Sequence, residues 1–294
     1  KALLQTLTRR NDLDRTPPTR ERQPGNWRRL TTMLPATAPQ QAELFPPHIE
    51  NAAARGRIVV VCEHASNTIP QRWGDMGLSA EQRLAHIAWD PGAVGLARGL
   101  AQRLDAVLVH APVSRLVYDC NRAPDMPGAM PLRSEVHEIP GNSAVSPEDR
   151  LARTQSIYLP FHDGLHGLIA ARIALGLAPV IVTIHSFTPV YFGKQRGVEF
   201  GVIHDADPRY AEAVLSAARS RTMLQAELNA PYSAADDVTH TLRLHATPYG
   251  LPNAMLEIRN DLIANPDAEQ SMADLLAPVL NMGLVEIQKQ AKAS

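Results

Sequence analysis

The chain has 294 residues, of which 45% are hydrophobic, and its formal net charge is −1. This length supplies enough apolar surface for one large domain or two small ones. A charge so close to zero excludes a protein that binds nucleic acid or an anionic membrane through its overall field, so a small molecule is the expected partner. The sequence has neither an apolar run of the ~20 residues that a membrane span needs nor a secretory signal, and we expect a soluble, cytoplasmic protein.

Residues 1–57 differ in character from the rest of the chain. They contain arginine pairs at 9–10 and 28–29, adjacent prolines at 17–18 and little periodic apolar patterning. Such a segment has too little apolar surface to fold by itself. The sequence therefore predicts a flexible, basic N-terminal extension over residues 1–57 and a single α/β domain over residues 58–294.

From residue 58 onward, apolar runs alternate with helical patterns. Ile58–Cys62 and 179–184 are continuous apolar runs, which are typical of strands buried on both faces. Further strands are predicted over 106–110, 198–203 and 254–258, and helices over 90–104, 147–175, 208–228 and 267–292. This alternation predicts a three-layer α/β/α domain with a central mixed, largely parallel sheet, whose ligands bind beyond the carboxyl ends of the strands.

The segment 123–147 is rich in proline and glycine and is longer than an ordinary connection. Segments of this length are more often functional loops or lids than simple connections, so this one could cover a pocket. No GxGxxG or GxxxxGK[ST] motif follows a predicted strand, and neither a dinucleotide site nor a P-loop is predicted.

Two histidines stand at matched strand ends. His64 follows the first buried strand and His185 follows the run 179–184, so their imidazoles could converge on a metal ion. A hydrolytic zinc takes three protein ligands, such as two histidines and a carboxylate, and keeps a fourth position for water. Asp90 is the first choice for the carboxylate and Glu63 the second, although an Asp before Pro-Gly is also an ordinary helix N-cap. The pattern favours Zn²⁺ or another divalent metal.

Glu257 lies in the apolar run 254–258, where an ionised side chain is costly unless it is paired or used. It could be a general base, or it could form a buried ion pair with Arg259. Asn121 and Arg122 supply an amide and a planar guanidinium, which suit the capture of a carboxylate.

Several other residues have weaker claims to a role. Arg115 could add a second positive charge for the substrate, although a loop salt bridge would explain it equally well. The remaining candidates are His162 and His166 on one predicted helix, and His240 and His245 on either side of Arg243. The first pair lacks the Glu of an HExxH motif, so a supporting role is expected; the second could orient substrate.

Both cysteines, Cys62 and Cys120, are predicted to be small residues of the hydrophobic core. The alternative is that Cys62 is a catalytic thiol.

Six short segments occur in an order that resembles the N-formylglutamate amidohydrolase family, which is similar in fold to zinc carboxypeptidases and succinylglutamate desuccinylases. They are 63–67 (EHASN), 86–90 (HIAWD), 114–122 (SRLVYDCNR), 158–162 (YLPFH), 184–189 (IHSFTP) and 256–260 (LEIRN). The resemblance implies a metal-dependent hydrolase that cleaves the amide C–N bond of a small, carboxylate-bearing N-acyl amino acid, such as N-formyl-L-glutamate in histidine breakdown.

Carried over by position, the resemblance implies that His64 and His185 bind the metal and that Glu257 is the general base. Asn121 and Arg122 would clamp the substrate carboxylate, with help from Arg115 or Arg259. The carboxypeptidase pattern has a Glu three residues after its first His, but this chain has Asn67 there. Asp90 and Glu63 therefore both remain candidates for the third ligand.

Three rival functions are compatible with the same residues. The first is a non-catalytic binding protein for an acidic metabolite, which need not hold a stoichiometric ion. The second is an amidase or aminoacylase with a different acyl specificity, because a fold does not choose among acyl groups. The third is a cysteine amidohydrolase that uses Cys62.

Overall fold

The computed structural model describes residues 43–293. Most of the predicted extension, residues 1–42, lies outside the described residues, and the division of the chain at residue 57 stays a prediction. The strands are β1 (His48–Glu50), β2 (Ile58–Cys62), β3 (Val107–His110), β4 (Arg133–Ser134), β5 (His137–Glu138), β6 (Val180–Phe187), β7 (Val190–Tyr191), β8 (Lys194–Gln195), β9 (Phe200–Ile203), β10 (Ala226–Leu228) and β11 (Asn253–Arg259). The α-helices are α1 (Ala80–Leu84), α2 (Ala93–Arg103), α3 (Pro147–Arg153), α4 (Leu159–Ala174), α5 (Arg209–Arg221), α6 (His240–His245) and α7 (Pro266–Ala293).

Seven strands form the central sheet, in the order β1-β3-β2-β6-β11-β9-β10. The inner strands β3, β2, β6 and β11 run parallel to one another. The outer pairs β1–β3 and β11–β9 are antiparallel, and β9–β10 is again parallel. The prediction of a mixed, largely parallel sheet is confirmed.

The central strands divide the hydrophobic core between the two faces of the sheet. All five residues of β2 are buried, and successive side chains of a strand point to opposite faces. Ile58, Val60 and Cys62 accordingly enter one core, in which residues of the neighbouring strands pack against α2, α5 and α7. Val59 and Val61 enter the second, which includes Phe161 of α4 and Leu242 of α6. Helices on both faces complete the predicted three-layer α/β/α arrangement.

Three predicted element boundaries differ from the structure. β1 pairs with β3 inside the segment predicted to be an extension, and β10 occupies residues assigned to the end of a helix. Each has only three residues, too short for a period-two pattern to show in the sequence. The helix predicted from residue 90 begins at Ala93, after Gly92 with φ 79°, so Asp90 is not its N-cap.

The helix predicted over 147–175 is continuous in the structure but contains one π-helical turn, Thr154–Tyr158, between α3 and α4. The irregular segment 123–147 carries the small hairpin β4–β5. Among the described residues, no helix is both long and apolar enough to cross a membrane.

Candidate metal centre and cavity

The candidate site lies at the carboxyl ends of the parallel strands. His64 is two residues beyond β2, whereas His185 and Glu257 sit near the ends of β6 and β11. Asp90 comes from the turn before α2, and its backbone N–H donates to the carbonyl of His64 at 2.9 Å. Four separate segments thus meet at one edge of the sheet, as the strand-end pattern predicts.

His64, Asp90 and His185 bring three possible ligand atoms together, and all three residues are buried. Asp90 Oδ2 lies 3.3 Å from His64 Nδ1 and 3.1 Å from His185 Nδ1. The two Nδ1 atoms are 3.2 Å apart. A tetrahedral zinc with bonds of about 2.0 Å would have ligands separated by about 3.3 Å. The donor set therefore matches a small divalent cation in both its chemistry and its spacing.

Each imidazole of the triad is backed by a second carboxylate. His64 Nε2 lies 2.8 Å from Asp119 Oδ1, and His185 Nε2 lies 3.1 Å from Glu63 Oε2. A carboxylate on Nε2 favours the neutral tautomer with its proton there, in which Nδ1 carries the lone pair that a metal ligand needs. The structure thus brings Asp90, and not the alternative Glu63, to the two Nδ1 atoms. Glu63 lies behind His185 instead.

Nearby charges outweigh the effect of burial on the pKa of two residues of the triad. Burial disfavours the charge on Asp90, but Arg115 and His64 outweigh it and hold the pKa of Asp90 well below its ordinary value. Burial also disfavours the imidazolium of His185, but Glu63 and Asp90 outweigh it and raise the pKa of His185 well above its ordinary value. A metal ion at Nδ1 would therefore displace a proton, so that its affinity depends on pH.

Glu257 is the remaining carboxylate near the triad. It is only 4% exposed, and its Oε2 has no hydrogen-bond partner among the described residues. Burial, only partly opposed by His185, raises its pKa to about 7. A buried carboxyl that titrates near neutrality can accept or donate a proton at physiological pH.

The triad and Glu257 face a cavity of about 400 Å³. Its walls also include Arg115, Asn121 and Arg122, the hairpin residues Arg133, Ser134 and Glu135, and the two tyrosines Tyr191 and Tyr232. The segment 123–147 therefore contributes a wall of the pocket. Glu135 Oε1 lies 3.1 Å from His86 Nδ1, which joins this wall to the segment that carries Asp90.

The four residues predicted to bind substrate occupy different positions. Arg115 lies 3.0 Å from Asp90 Oδ1, directly beside the triad. Arg122 lines the cavity and donates to the carbonyl of Asp237. Asn121 lines it too, but its amide donates to the carbonyl of Val238 and accepts from the backbone N–H of Thr241, so it ties two cavity segments together.

Arg259 does not line the cavity, and the expectation that it binds substrate stays a prediction. Its guanidinium lies 2.8 Å from Asp261 and 3.3 Å from Glu199. These carboxylates flank the end of β11 and satisfy the charge there, so the alternative ion pair with Glu257 is not formed either.

The structure separates the other candidates from the triad. His162 and His245 are buried and hydrogen-bonded to each other at 2.8 Å, and His240 Nε2 lies 2.9 Å from the hydroxyl oxygen of Tyr158. Cys62 is buried in the core, and burial raises the pKa of its thiol well above the ordinary value. A protonated, inaccessible thiol does not suit the cysteine amidohydrolase alternative.

Asp119 is the site residue that sequence reasoning did not single out. It follows an apolar stretch directly and precedes the Asn121-Arg122 pair, so its place in the motif was visible. Its role behind His64 could not be assigned, because the 2.8 Å contact joins residues 55 positions apart.

The fold and the cavity place this protein among the α/β enzymes whose site lies at the carboxyl ends of a largely parallel sheet. Residues 56–264 match the N-formylglutamate amidohydrolase family. The chain belongs to that family, and with it to the hydrolases that act on C–N bonds other than peptide bonds. No match is found among curated proteins.

The solved structures that are similar to this chain include the following two crystal structures. The gene product Atu2144 of Agrobacterium tumefaciens is 51% identical, with a TM-score of 0.81 over 83% of this chain and 96% of its own. The N-formylglutamate amidohydrolase of Ralstonia eutropha JMP134 is 16% identical, with a TM-score of 0.52 over 85% of this chain and 96% of its own. The second likeness supports the fold alone.

Proposed function

We propose that this protein is a metal-dependent amidohydrolase that cleaves the amide bond of a small N-acyl amino acid, such as N-formyl-L-glutamate. The observation that carries the proposal is the set of three ligand atoms separated by 3.1–3.3 Å. Beside them lies the buried carboxylate of Glu257, whose Oε2 has no hydrogen-bond partner among the described residues. Membership of the family supports the reaction type. Such a substrate would also suit a cytoplasmic role in histidine breakdown.

His64, Asp90 and His185 would hold Zn²⁺ or another divalent ion. When bound, such an ion polarises the acyl carbonyl and lowers the pKa of water toward ~7. Asp119 and Glu63 keep the two imidazoles turned toward that position from behind, at 2.8 and 3.1 Å.

Glu257 moves the proton. Its carboxylate takes a proton from the attacking water and delivers it to the nitrogen of the leaving amine, so that one water and one amide give a carboxylic acid and an amine. A pKa of about 7 for this carboxyl suits both halves of the transfer, because neither protonation state is scarce at neutral pH.

Arg122 binds the carboxylate of the amino-acid part. A guanidinium can form two parallel hydrogen bonds to a carboxylate, which fixes the direction of the substrate as well as its position. Asn121 supports this arginine by tying its turn to residues 238 and 241. Arg115 holds Asp90 and adds positive charge to the same wall of the cavity.

The test is a chelation and reconstitution experiment against a panel of N-acyl amino acids. The purified protein is assayed for amine release, stripped with a chelator, assayed again, and then reconstituted with Zn²⁺, Co²⁺ or Mn²⁺. We expect activity to follow the metal content, with N-formyl-L-glutamate among the substrates. Full activity in verifiably metal-free protein would refute metal dependence, and binding of the panel without turnover would favour the binding-protein alternative.

A further inference from the structure

A second cavity adjoins the candidate active site. It has a volume of about 430 Å³, and its lining residues are Tyr191, Lys194, Arg196, Pro231, Tyr232 and Asp236. Tyr191, Tyr232 and Asp236 also line the first cavity, so the two spaces share a wall. A group that extends from the first cavity past these three residues would enter the second.

Arg196 lies in this second cavity between aromatic rings and hydrogen-bond acceptors. Its guanidinium lies 4.3 Å from the ring centre of Tyr191 and 5.0 Å from that of Tyr232. It donates to the hydroxyl oxygen of Tyr232 at 3.0 Å and, at 3.4 Å, to the carbonyl of Thr188. Aromatic faces and neutral acceptors orient a guanidinium without neutralising its charge.

The charge of Arg196 has no carboxylate partner among the described residues, and neither has that of Arg122. Asp236 also lines the second cavity, but its Oδ2 accepts from the backbone N–H and the hydroxyl of Ser233. Lys194 adds a further positive charge to the same cavity. Two adjoining cavities therefore each offer an arginine available to an anion.

We propose that Arg196 is the specificity-determining residue for a second acidic group on the substrate, with Arg122 binding the first. The inference rests on the proposed function. An N-acyl amino acid has one α-carboxylate, which Arg122 accounts for, so a second unpaired arginine selects amino acids with an acidic side chain. The Tyr232 hydroxyl accepts from Arg196, which leaves its own proton free to donate to the same carboxylate.

The test compares N-formyl-L-glutamate with N-formyl-L-glutamine, which has nearly the same shape but one negative charge fewer. A hydrogen bond to a charged group strengthens binding by a factor of about 10 to 100. We expect the wild type to prefer the glutamate compound by such a factor in kcat/KM. Arg196→Gln should abolish the preference, mainly by raising KM for N-formyl-L-glutamate, while the rate with N-formyl-L-glutamine changes little.

Two further variants make the result specific. Tyr232→Phe keeps the ring that stacks on Arg196 but removes the hydroxyl, and it should reduce the preference by a smaller factor. Arg209→Gln removes an exposed arginine that pairs with Asp207 outside both cavities, and it should leave the preference unchanged. If Arg196→Gln misfolds, the Tyr232→Phe result decides: an unaltered preference would overturn the proposal.

A binding measurement separates this inference from the proposed function. Glutarate and butyrate, which differ by one carboxylate, are titrated calorimetrically into the wild type and Arg196→Gln. If neither formyl compound is hydrolysed but the wild type prefers glutarate and Arg196→Gln does not, the subsite stands and the proposed reaction fails. If both formyl compounds are hydrolysed with the same ratio in the two proteins, the reaction stands and the subsite is refuted.

Discussion

Glu257 lies directly opposite His185 in the parallel register of β11 and β6. The distance between the proposed base and a proposed metal ligand is therefore set by the backbone ladder of two buried strands. Groups placed on rigid elements keep their mutual geometry far better than groups on loops. The predictions below follow from this pairing and from the contacts around it.

Replacing Glu257 with Gln should abolish most of the turnover. The amide keeps the size of the side chain but cannot accept the proton, and loss of a general acid/base costs a factor of ~10² to 10⁴ in rate. Metal content, measured by elemental analysis, should stay at the wild-type level because Glu257 is not in the triad. The exposed Glu227 of β10 provides the control, since Glu227→Gln should be fully active. Near-normal activity in Glu257→Gln would refute the assignment.

The same substitution should stabilise the metal-free fold at alkaline pH. The pKa of Glu257 is raised from 4.5 to about 7 by burial, so the folded state binds more protons than the unfolded state between these values. The contribution of Glu257 to stability is then fully present below pH 4.5 and is lost as the pH rises through 7, by about 3 kcal/mol if the shift is fully expressed. Chemical denaturation of chelated protein at pH 5 and pH 8 measures this loss. Glu257→Gln should not show it, and an equal loss in both proteins would contradict the prediction.

Asp119→Asn should weaken metal binding without unfolding the protein. The carboxylate lies 2.8 Å from His64 Nε2, and loss of such a partner typically costs a factor of ~10 to 100 in metal affinity or activity. Competition with a chromogenic chelator measures the affinity directly. Asp163, exposed on α4, is the matched control, and Asp163→Asn should bind metal as the wild type does. Equal metal affinities in the two variants would show that Asp119 does not support the metal site.

The buried pair His162 and His245 should make the fold sensitive to acid. Burial and the neighbouring imidazoles lower the pKa of His162 to about 3 and that of His245 to about 4. Because both values lie below the unfolded value of 6.5, the unfolded chain takes up more protons, and stability falls as the pH drops below 6.5. His162→Gln should show a shallower fall between pH 6.5 and 4 in thermal unfolding. An unchanged slope would show that His162 is not responsible.

Gly201 should not tolerate a side chain. It lies opposite Glu257 on β9, and a Cβ there would be 1.9 Å from the carbonyl oxygen of Ala230. Gly201→Ala must therefore move either β9 or the segment that carries Tyr232, and we expect a marked loss of stability. In Gly167→Ala, on the exposed face of α4, the new Cβ meets nothing within 4 Å. That variant should gain up to about 1 kcal/mol, so a similar melting temperature for both variants would contradict the steric argument.

The parts of the site that the sequence predicts are those tied to strand ends. His64 and His185 follow long apolar runs, and parallel strands bring their carboxyl ends to one edge, so their approach could be anticipated. Asp90 could not be distinguished from a helix cap, because that depends on where α2 begins. Arg259 shares a face of the strand with Glu257, yet Glu199 and Asp261 hold it elsewhere. Contacts between distant segments decided each of these cases.

The position of Arg196 also could not be predicted from the sequence. No motif marks it, and its position is defined by aromatic rings from residues 187, 191 and 232, which only the folded chain brings together. The short strands β1 and β10 were missed because pairing with β3 and β9, rather than their own composition, makes them strands.

The antiparallel pairing of β1 with β3 has a consequence for how the chain can be shortened. Glu50 of β1 binds Arg98 of α2 and His110 of β3. These contacts hold β1 at the edge of the sheet, where it covers β3. A protein that starts at residue 58 would retain the whole triad, but β3 would expose a row of unpaired backbone N–H and C=O groups. Such an exposed edge pairs readily with a strand of another molecule, so the truncated protein should self-associate even though the proposed catalytic residues are intact.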